Sequence, residues 1–171
     1  MSVFLIGYRG SGKSTVGRLL AESISSAFVD SDEQIVGRAG KTIREIFAQD
    51  GESAFRNLET LIVTELAKKQ QHVIALGGGA LQRQENRAAL GGKSHQIVFL
   101  RCAAAQLLAR IRNDPATSDN RPSLTPLAGT LAEIEQLLSV REPIYESVMT
   151  AEVDVTHLTA AQAAERILGL L

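Results

Sequence analysis

Residues 3–15 read Val-Phe-Leu-Ile-Gly-Tyr-Arg-Gly-Ser-Gly-Lys-Ser-Thr, and this stretch decides the fold. The apolar run at 3–6 has the unbroken hydrophobicity of a strand covered on both faces. Three glycines follow within six residues, and Lys13 then opens an amphipathic pattern that reaches about Ser25. Strand, glycine-rich turn and helix in this order make a phosphate-binding loop, or P-loop. The glycines let successive backbone N–H groups turn toward phosphate oxygens with no Cβ in the way. Candidate triphosphate contacts are therefore Gly10, Ser11, Gly12, Lys13, Ser14 and Thr15. Lys13 can reach the β- and γ-phosphates, and the Ser14 hydroxyl can ligate a Mg²⁺ ion between them. The positive end of the helix faces the same anion.

Working outward, strand-like and helical patterns alternate along the whole chain. Strands are expected at 3–6, 27–30, 72–76, 96–100 and, more weakly, 152–155. Helices are expected at 13–25, 32–39, 42–49, 52–70, 85–90, 103–112, 130–148 and 160–170. Interleaving of this kind gives a parallel sheet with helices on both faces. The expected fold class is α/β: a P-loop NTPase-type three-layer sandwich on a five-stranded parallel sheet. With 171 residues and no repeat or linker, residues 1–171 are expected to form a single domain.

Composition narrows the function classes. Hydrophobic residues make up 44% and charged ones 22%, ordinary for a globular protein, and the formal net charge is −1. No overall field therefore favours nucleic acid or a membrane surface. The single cysteine, Cys102, excludes a disulfide framework and a cysteine-based metal cluster, and reads as a small core residue. His72, His95 and His157 are not spaced for metal binding, and solvated or capping roles are expected of them. The first apolar stretch is too short for a signal peptide or membrane span, so a cytoplasmic enzyme is expected. The last helix, with Ile167, Leu168, Leu170 and Leu171, is expected to pack into the core.

Ligands of open α/β sheets bind beyond the carboxyl ends of the strands. Three strand ends carry chemistry: the phosphate loop, Asp30-Ser31-Asp32, and Gly77-Gly78-Gly79. Asp30 can hold Mg²⁺ while Asp32 reaches an acceptor hydroxyl; Asp32 can equally serve as a helix N-cap. The triple glycine permits close backbone approach to a substrate. Arg56 and Glu59 fall one turn apart on one helical face, so the carboxylate can hold the guanidinium. Arg141 brings a second arginine late in a long helix, and two converging arginines suit a carboxylate. Residues 113–129 carry Pro115, Pro122 and Pro126 around Arg121, and a mobile lid over the nucleotide is expected there.

The runs Gly-Tyr-Arg-Gly-Ser-Gly-Lys-Ser-Thr, Phe-Val-Asp-Ser-Asp, Gly-Glu-Ser-Ala-Phe-Arg-Asn-Leu-Glu, Gly-Gly-Gly, Arg-Pro-Ser-Leu and Arg-Glu-Pro-Ile-Tyr together resemble shikimate kinase, in order from Val3 to Tyr145. The Leu-Thr after Arg121-Pro122-Ser123 is more similar to the second bacterial isozyme type. The resemblance implies transfer of the γ-phosphoryl group of ATP to the 3-hydroxyl of shikimate, in chorismate and aromatic amino-acid biosynthesis. It implies that Asp32 binds shikimate hydroxyls, that Arg56 and Arg141 clamp its carboxylate beside Gly77, Gly78 and Gly79, and that Phe47 and Phe55 pack on its ring near Glu59. Lys13, Asp32 and Arg121 would be catalytic, and Ser14 and Asp30 would serve Mg²⁺. Shikimate and ATP are the implied partners of a monomeric enzyme. Where the family often places arginine or proline for adenine, this chain has Thr156-His157-Leu158-Thr159, and Arg110 or Arg112 is left as the stacking candidate.

Two rival readings are weaker. A gluconate kinase would share loop and lid but has no use for the Phe55-Arg56-x-x-Glu59 and triple-glycine set. A GTPase-type switch would read guanine through Asn-Lys-x-Asp, which has no plausible counterpart here.

Overall fold

The computed structural model describes residues 1–91, 95–114 and 129–171. Its five strands are β1 (Val3–Ile6), β2 (Ala27–Asp30), β3 (His72–Ala75), β4 (Gln96–Arg101) and β5 (Ala151–Asp154). They form one parallel sheet in the order β2-β3-β1-β4-β5, with Val3 opposite Val73 on one side and Gln96 on the other. The α/β sandwich expected from the alternation is what forms. β1 lies at the centre, so the loop that leaves it opens in the middle of the sheet's carboxyl edge.

Helices cover both faces. The described ones are α1 (Lys13–Ser23), α2 (Ser31–Ala39), α3 (Ile43–Gln49), α4 (Gly51–Leu66), α5 (Gln84–Leu90), α6 (Ala104–Asn113), α7 (Leu131–Val148) and α8 (Ala160–Leu168). Alternation along β1 feeds two cores. Val3 and Leu5 join Leu20 of α1, Leu107 of α6 and Ile167 of α8. Phe4 and Ile6 join Ile35 of α2, Ile62 of α4 and Leu90 of α5 on the other face. Helix α7 contributes Ile134 to the first core and Tyr145 to the second, so it passes across the end of the sheet. That course brings its side chains to the strand ends where a ligand would sit.

Several boundaries differ from expectation, each for a local reason. Helix α2 begins at Ser31 because Asp30, not Asp32, is the N-cap: its side chain accepts the Asp32 N–H. Helix α4 stops at Leu66, and Gln71 takes φ +57° before β3. Helix α8 stops at Leu168, and the leucines expected in the core are outside it: Leu168, Leu170 and Leu171 are 44%, 47% and 40% exposed, whereas Ile167 is buried. Of the two roles expected of His95 it takes the capping one: it is buried edge-on against Phe4 with Nε2 3.1 Å from the carbonyl oxygen of Ala67, the C-cap of α4. Cys102 is the small core residue expected. Of the segment expected to form a lid, residues 115–128, including Arg121, lie outside the described residues.

Gly7 joins β1 to the loop at φ +143°, and an alanine Cβ there would stand 2.7 Å from the Leu100 carbonyl oxygen of β4. Both the backbone angle and the contact exclude a side chain. Gly7→Ala is expected to lose about 2–4 kcal/mol of stability in urea unfolding. An unchanged midpoint would contradict this packing of the loop against β4.

Candidate active site

The phosphate loop is built by backbone geometry. Gly10 and Gly12 take φ +81° and +90°, and Gly12 is the N-cap of α1. Lys13 folds back along the loop, its Nζ donating to the carbonyl oxygens of Gly7 and Tyr8 at 2.9 and 2.8 Å. The loop forms one wall of a cleft of about 770 Å³ that also takes in Asp30, Asp32, Gly77, Gly78, Arg110 and Asp114. Gly10, Gly12, Lys13, Ser14 and Thr15 all line it. Ser11 does not: its side chain is buried beside Gly7, and its N–H donates to Tyr8 O at 3.2 Å.

Asp30 is held by two donors. Its Oδ2 accepts the Ser14 hydroxyl at 2.6 Å, and its Oδ1 accepts the Asp32 N–H at 2.9 Å. Two hard oxygen donors thus meet at the mouth of the phosphate loop, the ligand chemistry Mg²⁺ prefers. Among the described residues no group of three His, Cys, Asp or Glu side chains could enclose a metal by itself. Asp32 points into the same cleft from the first turn of α2.

The turn at 77–79 organises the other half. The buried Ser31 hydroxyl accepts the Gly77 N–H at 2.9 Å. Gly79 lies against Arg56, where an added Cβ would stand 3.0 Å from Nη1. Arg56 is buried and paired, donating to Glu59 Oε2 at 2.7 Å and lying 3.4 Å from Glu52. Arg141 comes from α7 to the same turn, with Nη1 3.5 Å from Gly78 O and its guanidinium 5.4 Å from the Tyr8 ring centre. It is only 6% exposed, and among the described residues it has no carboxylate partner. Phe47 and Phe55 stack with centroids 4.7 Å apart, and Arg56 lies over Phe55. Arg56 and Arg141 thus meet at the glycine turn, with the phenylalanine pair against Arg56, and none of the four lines the main cleft.

Between the two arginines left open for adenine, the structure separates the candidates. Arg110 lines the cleft and donates to Val155 O at 2.7 Å, whereas Arg112 points away toward Gly129 O at 3.5 Å. Sequence reasoning missed three contributors: Ser31, Tyr145, whose hydroxyl donates to Gly78 O, and Tyr8. Burial raises the Tyr8 phenol above its ordinary pKa, against the pull of Arg9 and Arg141. Ser31 had a signal, since it sits between two aspartates at a strand end; its pairing with Gly77, 46 residues away, had none.

A central parallel strand, a phosphate loop and two buried arginines at the glycine turn beside it define a P-loop phosphotransferase. Comparison with known proteins narrows this. The family model described as shikimate kinase matches residues 9–171. The shikimate kinase of Thermobifida fusca is 43% identical over 163 residues, covering 95% of this chain and 90% of its own. The structure of shikimate kinase from Acinetobacter baumannii in complex with shikimate superposes with a TM-score of 0.90 at 35% identity, covering 99% of this chain and 91% of that one. A gluconokinase from Sinorhizobium meliloti reaches 0.61 at 22% identity, covering 98% of this chain and 89% of that one, and shares the fold alone. The chain belongs to the shikimate kinase family. The second isozyme type was read from residues 121–125, outside the described residues, so membership stands at the level of the family.

The Ser31–Gly77 hydrogen bond is buried, so Ser31→Ala strands an N–H in the turn. The expected cost is about 1–3 kcal/mol in unfolding, with the acceptor KM rising as the turn loosens. Unchanged stability and KM would show that Ser31 does not hold the turn.

Proposed function

We propose that this chain transfers the γ-phosphoryl group of ATP to the 3-hydroxyl of shikimate, giving shikimate 3-phosphate and ADP. The observation that carries the reading is Arg141, a buried guanidinium with no carboxylate partner among the described residues, set beside a phosphate loop. A buried cation is costly unless an anion meets it. The carboxylate of the acceptor supplies that anion, with Arg56 held by Glu59 on the same turn as the second arm of the clamp.

On this reading the triphosphate lies on the N–H groups of the loop, and Lys13 exchanges the carbonyls of Gly7 and Tyr8 for phosphate oxygens. Ser14 and Asp30 would hold Mg²⁺, which would supply positive charge to offset that of the triphosphate. Asp32, on the cleft wall, orients the attacking hydroxyl toward the γ-phosphorus and takes its proton. Phe47 and Phe55 supply an apolar wall for the carbocycle. Arg110, beside Val155, is the adenine contact. Arg121, outside the described residues, is assigned to the triphosphate by its motif alone. Phosphoryl transfer asks chiefly for alignment and charge stabilisation, and these groups provide both. The same reading takes the chain as one domain acting as a monomer in the cytoplasm. Among the described residues no helix is long and apolar enough to cross a membrane.

ADP release measured with shikimate, with gluconate and with no acceptor tests the reading. Turnover should depend on shikimate, and ³¹P NMR should show a new phosphomonoester. Equal turnover with gluconate would overturn the assignment. Lys13→Ala should keep the fold and lose on the order of 10²–10³ in kcat. Near-normal kcat would remove Lys13 from the charge-stabilising role.

A further inference from the structure

The phosphate loop carries a second cation whose place neither the loop motif nor the arginine clamp accounts for. Arg9 lines the cleft, and its Nη2 lies 3.6 Å from Oε2 of Glu133 on α7. Glu133 is buried, and the same Oε2 accepts the Gly129 N–H at 2.8 Å. The carboxylate is thus fixed at the start of α7, where the positive end of the helix also favours it. At 3.6 Å its contact with Arg9 is an ion pair rather than a hydrogen bond, and it holds the guanidinium on the cleft wall. Arg9 and Arg141 both lie on the Tyr8 ring, with their Cζ atoms 6.0 and 5.4 Å from its centre.

We propose that Arg9 is a further acceptor-binding residue and that Glu133, acting through it, is its positioning residue; the proposal rests on the shikimate kinase reading above. The location favours the acceptor over the nucleotide. The backbone nitrogen of Arg9 stands 3.2 Å from where a Cβ on Gly78 would be, so Arg9 sits where the loop meets the 77–79 turn. The Lys13 ammonium is engaged by the loop's own carbonyl oxygens, Gly7 O and Tyr8 O, whereas Arg9 extends to Glu133 of α7. Glu133 and Arg141 share α7 some two turns apart. A guanidinium on the cleft wall beside Arg141 adds to the positive field that an anionic acceptor enters, and its planar fork suits a carboxylate.

Kinetics of Arg9→Met, Arg9→Lys, Glu133→Gln and the Arg9→Met/Glu133→Gln double variant, with shikimate and ATP varied separately, test the proposal. Arg9→Met should raise the shikimate KM roughly 5- to 20-fold, and calorimetric binding of a non-hydrolysable ATP analogue should stay within about twofold. Arg9→Lys, which keeps the charge without the fork, should fall between. Glu133→Gln should raise the shikimate KM about 2- to 5-fold alone and add nothing in the Arg9→Met background, because it acts through Arg9. A shikimate KM unmoved in both Arg9 variants, a loss confined to ATP-analogue binding, or a full Glu133→Gln effect without Arg9 would each overturn it. Should Arg9→Met fail to fold, Arg9→Lys and Glu133→Gln carry the same readouts. If the unaltered chain shows no shikimate-dependent turnover, it is the underlying function that fails rather than this inference.

Discussion

The turn at 77–79 is the constraint on which the rest of the site depends. Its three residues are gripped from three elements: Ser31 of α2 takes the Gly77 N–H, Arg56 of α4 lies against Gly79, and Tyr145 and Arg141 of α7 reach Gly78 O. Gly78 also abuts the backbone of Arg9, so the turn is pressed against the phosphate loop itself. A side chain on either of the last two glycines would push the clamp or the loop away. The turn therefore sets the spacing between the phosphate loop and the two arginines, and on the proposed function in-line transfer tolerates little error in that spacing.

Charge is arranged around this turn against the balance of the whole molecule. The chain has a formal net charge of −1, yet Lys13, Arg56, Arg141 and Arg9 gather at one edge of the sheet. Carboxylates approach two of these cations, Glu59 and Glu52 beside Arg56 and Glu133 beside Arg9, while among the described residues Arg141 has none. Low dielectric strengthens the field of these cations, which favours anions at this edge of the sheet. An enzyme that must bring a triphosphate and a carboxylate together needs such a local surplus, and the overall charge does not reveal it.

The sheet was legible because β1 is apolar at every position, as a strand buried on both faces must be, and because its glycine loop has one physical use. The Arg56–Glu59 pair was legible from helical spacing alone. What stayed hidden depends on contacts between distant residues. The Asp30-Ser31-Asp32 run drew attention to its carboxylates, while the serine proved to hold the turn and Asp30 proved to be the cap. Arg110 and Arg112 look alike in sequence, and only the packing of α6 shows which one faces the cleft. The terminal leucines were misplaced because a short apolar pattern does not say where its helix ends or what covers it. Arg9 and Glu133 meet only because α7 crosses the end of the sheet.

The central claim is that the buried guanidinium of Arg141 awaits the acceptor's carboxylate. Calorimetric titration of shikimate into the unaltered chain and into Arg141→Ala, each alongside a titration with ADP, tests it most directly. A charged hydrogen bond lost from an enclosed site is worth about 1.5–3 kcal/mol. Shikimate affinity should therefore fall on the order of 10- to 150-fold while ADP binding holds. Unchanged shikimate affinity, with ADP binding weakened instead, would contradict the account.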